Sequence, residues 1–192
     1  MIISVLIPCF NEKFTIEEIV NKVNNLKDLK TEIIIIDDCS NDGTKEILKE
    51  KIQEKVSKVI YNNNNYGKGY CLKKGIEAAK GEIILIQDAD LEYDPREYYK
   101  LIKPIKNGHA DVVYGSRFVG GDEKRILFFW HTVANKILTL ISNMFTNLNL
   151  TDMETCYKVF KKEIIKQIEL KENGFGFDPE VTAKVAKLKP KI

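Results

Sequence analysis

Asp88, Asp90 and Glu92 close the apolar run in GEIILIQDADLEYDP (81–95), so three carboxylates stand at alternating positions where a strand-like segment ends. Residues two apart in an extended chain share a face, and like charges held that close repel unless a cation or solvent separates them. One reading is a divalent cation site; the other is a solvated turn before Pro95. Hard cations such as magnesium take oxygen ligands, keep several waters and are completed by substrate phosphates, which suits an Asp-x-Asp pair at a strand end.

Polar clusters also close the other apolar runs: PCFNE (8–12), DDCSNDGT (37–44), NNNNYGKG (62–69) and GSRF (115–118). Ligands of an open parallel sheet bind beyond the carboxyl ends of its strands, so acids from three strand ends would meet Lys68 and Arg117 at one edge. Each cluster alone fits ordinary turn chemistry. Together they point to a metal ion and a charged ligand, with pairing to one of the edge acids as the alternative for Arg117.

The elements that must position these residues follow from period and punctuation. Strands are expected at 2–8, 32–37, 57–61, 82–87 and 111–116, alternating with helices at 15–26, 44–55, 68–79 and 95–106. Continuous β-branched runs imply strands covered on both faces, hence an α/β fold with a wound parallel sheet. Thr15 with Glu18 reads as a capping box, Thr44 follows Gly43 at a loop end, and Pro95 suits a first helical position. At 192 residues one domain, 1–192, is expected. A formal charge of +2 gives no basic field for nucleic acid. Cys9, Cys39, Cys71 and Cys156 form no C-x-x-C pair, which suits reduced thiols in a cytoplasmic protein, and MIISVLIP reads as a strand rather than a secretory signal.

The segment 126–150 is the most apolar, yet His131, Asn135, Thr139 and Ser142/Asn143 recur every three to four positions. One polar stripe makes it an amphipathic helix rather than a membrane span. It is expected either to pack in a core or subunit interface, which leaves a homo-oligomer open, or to lie on the cytoplasmic face of a membrane with Phe128, Phe129 and Trp130 as anchors.

The blocks PCFNE, DDCSNDGT, GKG, DAD, GSR and TDMETCYKVF, in this order over nearly the whole chain, resemble the family-2 glycosyltransferases of the GT-A fold. The likeness is to the dolichol-phosphate mannose synthase and polyprenyl-phosphate branch. It implies a Rossmann-like, mostly parallel sheet flanked by helices, with a nucleotide-sugar half (1–116) and an acceptor half (117–192). Relatives usually continue beyond the KLKPKI terminus, so it also implies a truncated or minimal form. By the same resemblance Pro8, Asn11 and Glu12 border the nucleotide, Asp37 and Asp38 lie near base and ribose, and Lys68 and Ala89 join that set. Asp88, Asp90 and Glu92 face a magnesium or manganese ion and the diphosphate, although the lipid branch often has Gln at position 92. Arg117 and His131 meet the acceptor, Asp90, Arg117 and Asp152 form the catalytic set, and GFGFDPE (174–180) supports the acceptor side.

The implied reaction is inverting transfer from GDP-mannose or a UDP-sugar to a polyprenyl or dolichyl phosphate, an acceptor that needs no protein base. The alternatives are a glycan hydroxyl acceptor, with Asp152 as first candidate for the base, and a catalytically silent nucleotide-sugar scaffold. The loop VGGDEKR (119–125) reads as a lid or an ordinary surface loop. A dehydrogenase is disfavoured because PCFNE carries no glycine fingerprint after the first strand.

Overall fold

The computed structural model describes residues 1–119 and 128–192. Six strands form one sheet: β1 (Ile2–Cys9), β2 (Lys30–Asp37), β3 (Lys58–Tyr61), β4 (Ile83–Ile86), β5 (Val112–Tyr114) and β6 (Lys158–Lys161), in the order β3-β2-β1-β4-β6-β5. The pairs among β1 to β4 are parallel, whereas β6 runs antiparallel to both β4 and β5. Ile33–Ile36 and Ile83–Ile86 are at most 2% exposed, so the central strands are covered on both faces as their unbroken apolar runs require. Each such side chain contributes roughly 1.5–3 kcal/mol by leaving water.

The helices are α1 (Ile16–Asn24), α2 (Thr44–Ile47), α3 (Lys68–Ala78), α4 (Tyr98–Lys106), α5 (Phe129–Thr146), α6 (Lys162–Ile165) and α7 (Phe177–Leu188). The five expected strands and five expected helical segments are present, with shifted ends. The segment expected as one helix over 44–55 passes from α2 into a π turn (Leu48–Ile52) and a 3₁₀ turn (Gln53–Lys55). Pro95 opens a 3₁₀ turn ahead of α4, capped by the Asp94 carboxylate accepting from Arg96 N at 2.8 Å.

Three expectations need correction. The capping box at Thr15 does not form: its hydroxyl donates to Glu12 Oε2 at 2.6 Å, and Glu18 pairs with Lys22 at 2.9 Å. The acids of the Asp-x-Asp pair lie past the end of β4 in a turn, with Leu91 at a φ of 63°, so strand alternation does not set their directions. Within the segment expected as an amphipathic helix, α5 forms over Phe129–Thr146, but of the placements expected for it, packing of its apolar face in the core is not found. Asn135 and Thr139 of the polar stripe are buried, while Leu140, Met144 and Phe145 are 60%, 75% and 87% exposed, so the apolar face does not pack in the core. The loop 119–125 lies outside the described residues apart from Val119, which is exposed.

Candidate active site

A cleft of about 340 Å³ opens beyond the carboxyl ends of the parallel strands, lined among others by Pro8, Glu12, Asp38, Lys68, Asp88 and Asp90. The register explains the convergence. Cys9 pairs with Asp37 and Leu6 with Ile86, so the segments after β1, β2 and β4 leave the sheet side by side. Lys68 opens α3 and its Nζ lies 2.7 Å from Asp88 Oδ1. Burial works against that ammonium, but Asp88 and Asp178 outweigh it and hold Lys68 firmly protonated. Across the cleft, burial raises the Glu12 carboxyl above its ordinary range; the Thr15 hydrogen bond opposes the rise, and the charges of Asp90, Asp88 and Asp42 add to it.

The donor-side residues divide by position. Ala89 also lines the cleft, but Asn11 lies outside its lining, with φ 59° and its Oδ1 accepting from Asn41 N at 2.9 Å. Asp37 is fully buried at the end of β2. One of its oxygens accepts from Ser40 N and the other has no partner; burial raises its carboxyl. Asp38 accepts from Gly67 N at 2.6 Å, Tyr66 N at 3.1 Å and Asn62 Nδ2 at 2.7 Å, which folds the 62–67 loop over it. Gly67 adopts φ 98°, and a Cβ there would fall 2.6 Å from Asn173 O; at Gly69 it would fall 2.5 Å from Glu172 O. Those two glycines let the loop press against the 172–174 backbone.

Glu92 lies outside the cleft lining, and no trio of His, Cys, Asp or Glu among the described residues is arranged to enclose a metal. The three-carboxylate site expected at Asp88, Asp90 and Glu92 is therefore not assembled. Asp88 and Asp90, sharing one cleft with a charge-crowded Glu12, still fit a magnesium-type ion, because such an ion needs one or two carboxylates and takes its other ligands from water and phosphate.

Arg117 and Asp152 form a second constellation. Arg117 donates from Nε and Nη2 to the two Asp152 oxygens at 2.8 and 2.9 Å, and its backbone N–H reaches Oδ2 at 3.0 Å. Asn135 of α5, with its amide turned as its neighbours dictate, accepts from Arg117 Nη2 at 2.6 Å and donates to Asp152 Oδ1 at 3.3 Å. Arg117 is thus paired, but with Asp152, which is 1% exposed, and not with one of the strand-end acids considered for it. His131 is exposed on the first turn of α5, 5.9 Å from Phe128 between ring centres.

Several site residues were not anticipated. Phe10, Asn65, Cys71 and Phe175 line the cleft, so the GFGFDPE stretch, expected on the acceptor side, contributes Phe175 to the wall shared with Asp38 and Asp88. Asn135 sat in the polar stripe but nothing in its spacing named Arg117 as its partner. A larger cavity, about 570 Å³, lies beside β5 and reaches Asp152, but its wall lacks the convergent charges of the first.

A mostly parallel sheet with a reversed strand between β4 and β5, and a charged cleft at its carboxyl edge, is the architecture of the GT-A fold. Residues 4–169 match the Glycosyl transferase family 2 model, and the chain belongs to that family. It is 30% identical over 187 residues to a dolichol-phosphate mannosyltransferase of Pyrococcus furiosus, covering 96% of this chain and 53% of that protein. It is 28% identical over 169 residues to an undecaprenyl-phosphate 4-deoxy-4-formamido-L-arabinose transferase of Aeromonas hydrophila, covering 85% and 50%. The chain therefore spans about half the length of the curated relatives it matches. Glucosyl-3-phosphoglycerate synthase of Mycobacterium tuberculosis, solved with Mn2+, UDP and glucosyl-3-phosphoglycerate, superposes at a TM-score of 0.70 with 21% identity, covering 92% of this chain and 62% of that one. S. aureus TarS with UDP gives 0.65 at 20% identity, covering 99% and 56%. These structures bear out the GT-A fold.

Proposed function

We propose that this chain is the catalytic core of an inverting glycosyltransferase that moves a sugar from a nucleotide diphosphate to a polyprenyl phosphate. The observation that carries it is the charged cleft in which Lys68, Glu12, Asp88 and Asp90 face one another at the sheet edge. Residues 1–116 supply most of the donor side and 117–192 the acceptor side. Asp88 and Asp90 would hold a magnesium or manganese ion, whose charge would neutralise that of a diphosphate leaving group. Lys68 adds a permanent positive charge beside Asp88. Asp38 shapes the loop that would border the base, and Pro8 and Ala89 line the cleft.

The acceptor reading is supported by the state of Asp152. A hydroxyl acceptor needs a base, but both Asp152 oxygens are committed to Arg117 and the carboxylate is buried. A lipid phosphate is already an anion and needs orientation instead. Asp152 and Asn135 hold the Arg117 fork at Nε and Nη2, so the phosphate would take its Nη1 donors. The relatives named for polyprenyl phosphates agree with this choice. The exposed apolar face of α5 would bring the core to the membrane that holds such an acceptor, as a peripheral contact; no described helix is long and apolar enough to cross a membrane.

Calorimetric titration of UDP and GDP, each with and without manganese or magnesium, tests the reading. One nucleotide is expected to bind at least tenfold more tightly with the metal, and Asp90→Ala should erase that gain. Absence of binding by either nucleotide would overturn the proposal.

A further inference from the structure

The residue before the Asp-x-Asp pair is a glutamine with no exposed surface, in a position where β4 has just ended. A buried amide costs free energy unless all its groups are bonded, and Gln87 satisfies that condition with four contacts. Its Oε1 accepts from Tyr98 Oη at 2.8 Å and Tyr157 Oη at 3.0 Å. Its Nε2 donates to Asp88 O at 2.9 Å and, more weakly, to Tyr93 O at 3.5 Å. Backbone carbonyls only accept, so they fix which end of the amide faces the loop.

Those two carbonyls bracket residues 88–93, the turn that carries Asp88, Asp90 and Glu92. Leu91 stands within it at φ 63°, a conformation that costs a residue with a side chain and persists only when its surroundings impose it. A second tie comes from the segment just before β6: Asp88 N donates to Cys156 Sγ at 3.1 Å, and Cys156 N donates to Tyr93 Oη at 3.1 Å. Tyr93, Tyr98 and Tyr157 pack ring on ring beside them, with centres 4.8 and 5.8 Å apart, and Tyr98 and Tyr157 are at most 1% exposed. An apolar side chain at 87 would fill the space without desolvating an amide, yet it would remove the amide tie at both ends of the turn and leave only the Cys156 contacts.

We infer that Gln87 is a positioning residue for the metal and diphosphate carboxylates: its side chain clips Asp88 to Tyr93 and so holds Asp88 and Asp90 in the cleft. This rests on the metal-assisted reading above. Gln87→Glu separates the two ends of the amide, because it keeps the acceptor for Tyr98 and Tyr157 and, as a carboxylate, has no donor for the turn. Gln87→Met, of similar size, removes the clip without adding charge and serves if the first variant fails to fold.

Two readouts are taken on the same chain: backbone amide exchange of the 86–94 peptide, and calorimetric binding of manganese with inorganic pyrophosphate. The expected result is at least tenfold faster exchange confined to 86–94, with manganese pyrophosphate bound about tenfold more weakly. Unchanged exchange in the variants overturns the clip. Faster exchange with pyrophosphate affinity within twofold of the parent leaves only a structural glutamine and overturns the positioning role, while the metal reading stands. A parent chain that binds no manganese pyrophosphate overturns that reading instead, and the inference with it.

Discussion

At Asp152 the chemistry available to one residue is set by its partner. An exposed aspartate could take a proton from a hydroxyl, but this one accepts three hydrogen bonds from Arg117 and a fourth from Asn135. The pair also keeps the Arg117 guanidinium firmly charged, first through the hydrogen bond itself and then against the cost of burial. Asp152→Asn keeps one acceptor oxygen and loses the charge, so it should cost about 1–3 kcal/mol of stability. In the lipid-phosphate reading, turnover falls less than about tenfold, the acceptor KM rises and nucleotide affinity is unchanged, since no proton transfer is lost. Steady-state kinetics with a polyprenyl phosphate acceptor decide it: a collapse of kcat by roughly a thousandfold, with nucleotide binding intact, would assign Asp152 to general-base work on a hydroxyl.

At the scale of the element, α5 reverses the usual helix. Its polar residues turn inward because Asn135 has Arg117 and Asp152 to meet, Thr139 Oγ1 accepts from Met153 N at 3.1 Å, and Asn143 bonds both backbone groups of Leu150. The face left outside carries Trp130, Leu140, Met144 and Phe145, each at least 60% exposed. A contiguous apolar face of this kind marks a surface that something covers. With a membrane as that surface, the chain should sediment with anionic vesicles, and Trp130→Glu combined with Phe145→Glu should weaken binding at least tenfold without moving the thermal midpoint. A parent chain that stays wholly in the supernatant would remove the membrane reading of α5.

For the whole molecule, the cleft carries a stability cost at Glu12. Glu12 has a raised carboxyl, so between the ordinary value of 4.5 and its higher folded value the native state binds more protons than the unfolded chain. Stability therefore falls as pH rises through that window, and the penalty is fully present above it. Thermal unfolding followed against pH should find metal-free Glu12→Gln more stable than the parent at pH 7, with the advantage fading as the pH drops to the ordinary glutamate value; equal midpoints at every pH would refute the argument that burial, with the nearby acids, raises Glu12. Much of this architecture is legible in the sequence. Unbroken isoleucine runs dictate strands buried on both faces, and polar clusters at their ends dictate where a ligand can sit, because both depend on local pattern alone. The strand β6 was not legible: it is four residues long and begins with Lys158, which is fully buried with its ammonium paired to Asp178, twenty residues on, and bonded to the Thr155 carbonyl. The direction of the α5 stripe, the commitment of Asp152 to Arg117 and the clip at Gln87 were hidden for the same reason. Period and spacing determine which residues share a face, but which partner that face meets is decided by contacts between segments far apart in the chain, and those exist only once the sheet has closed around them.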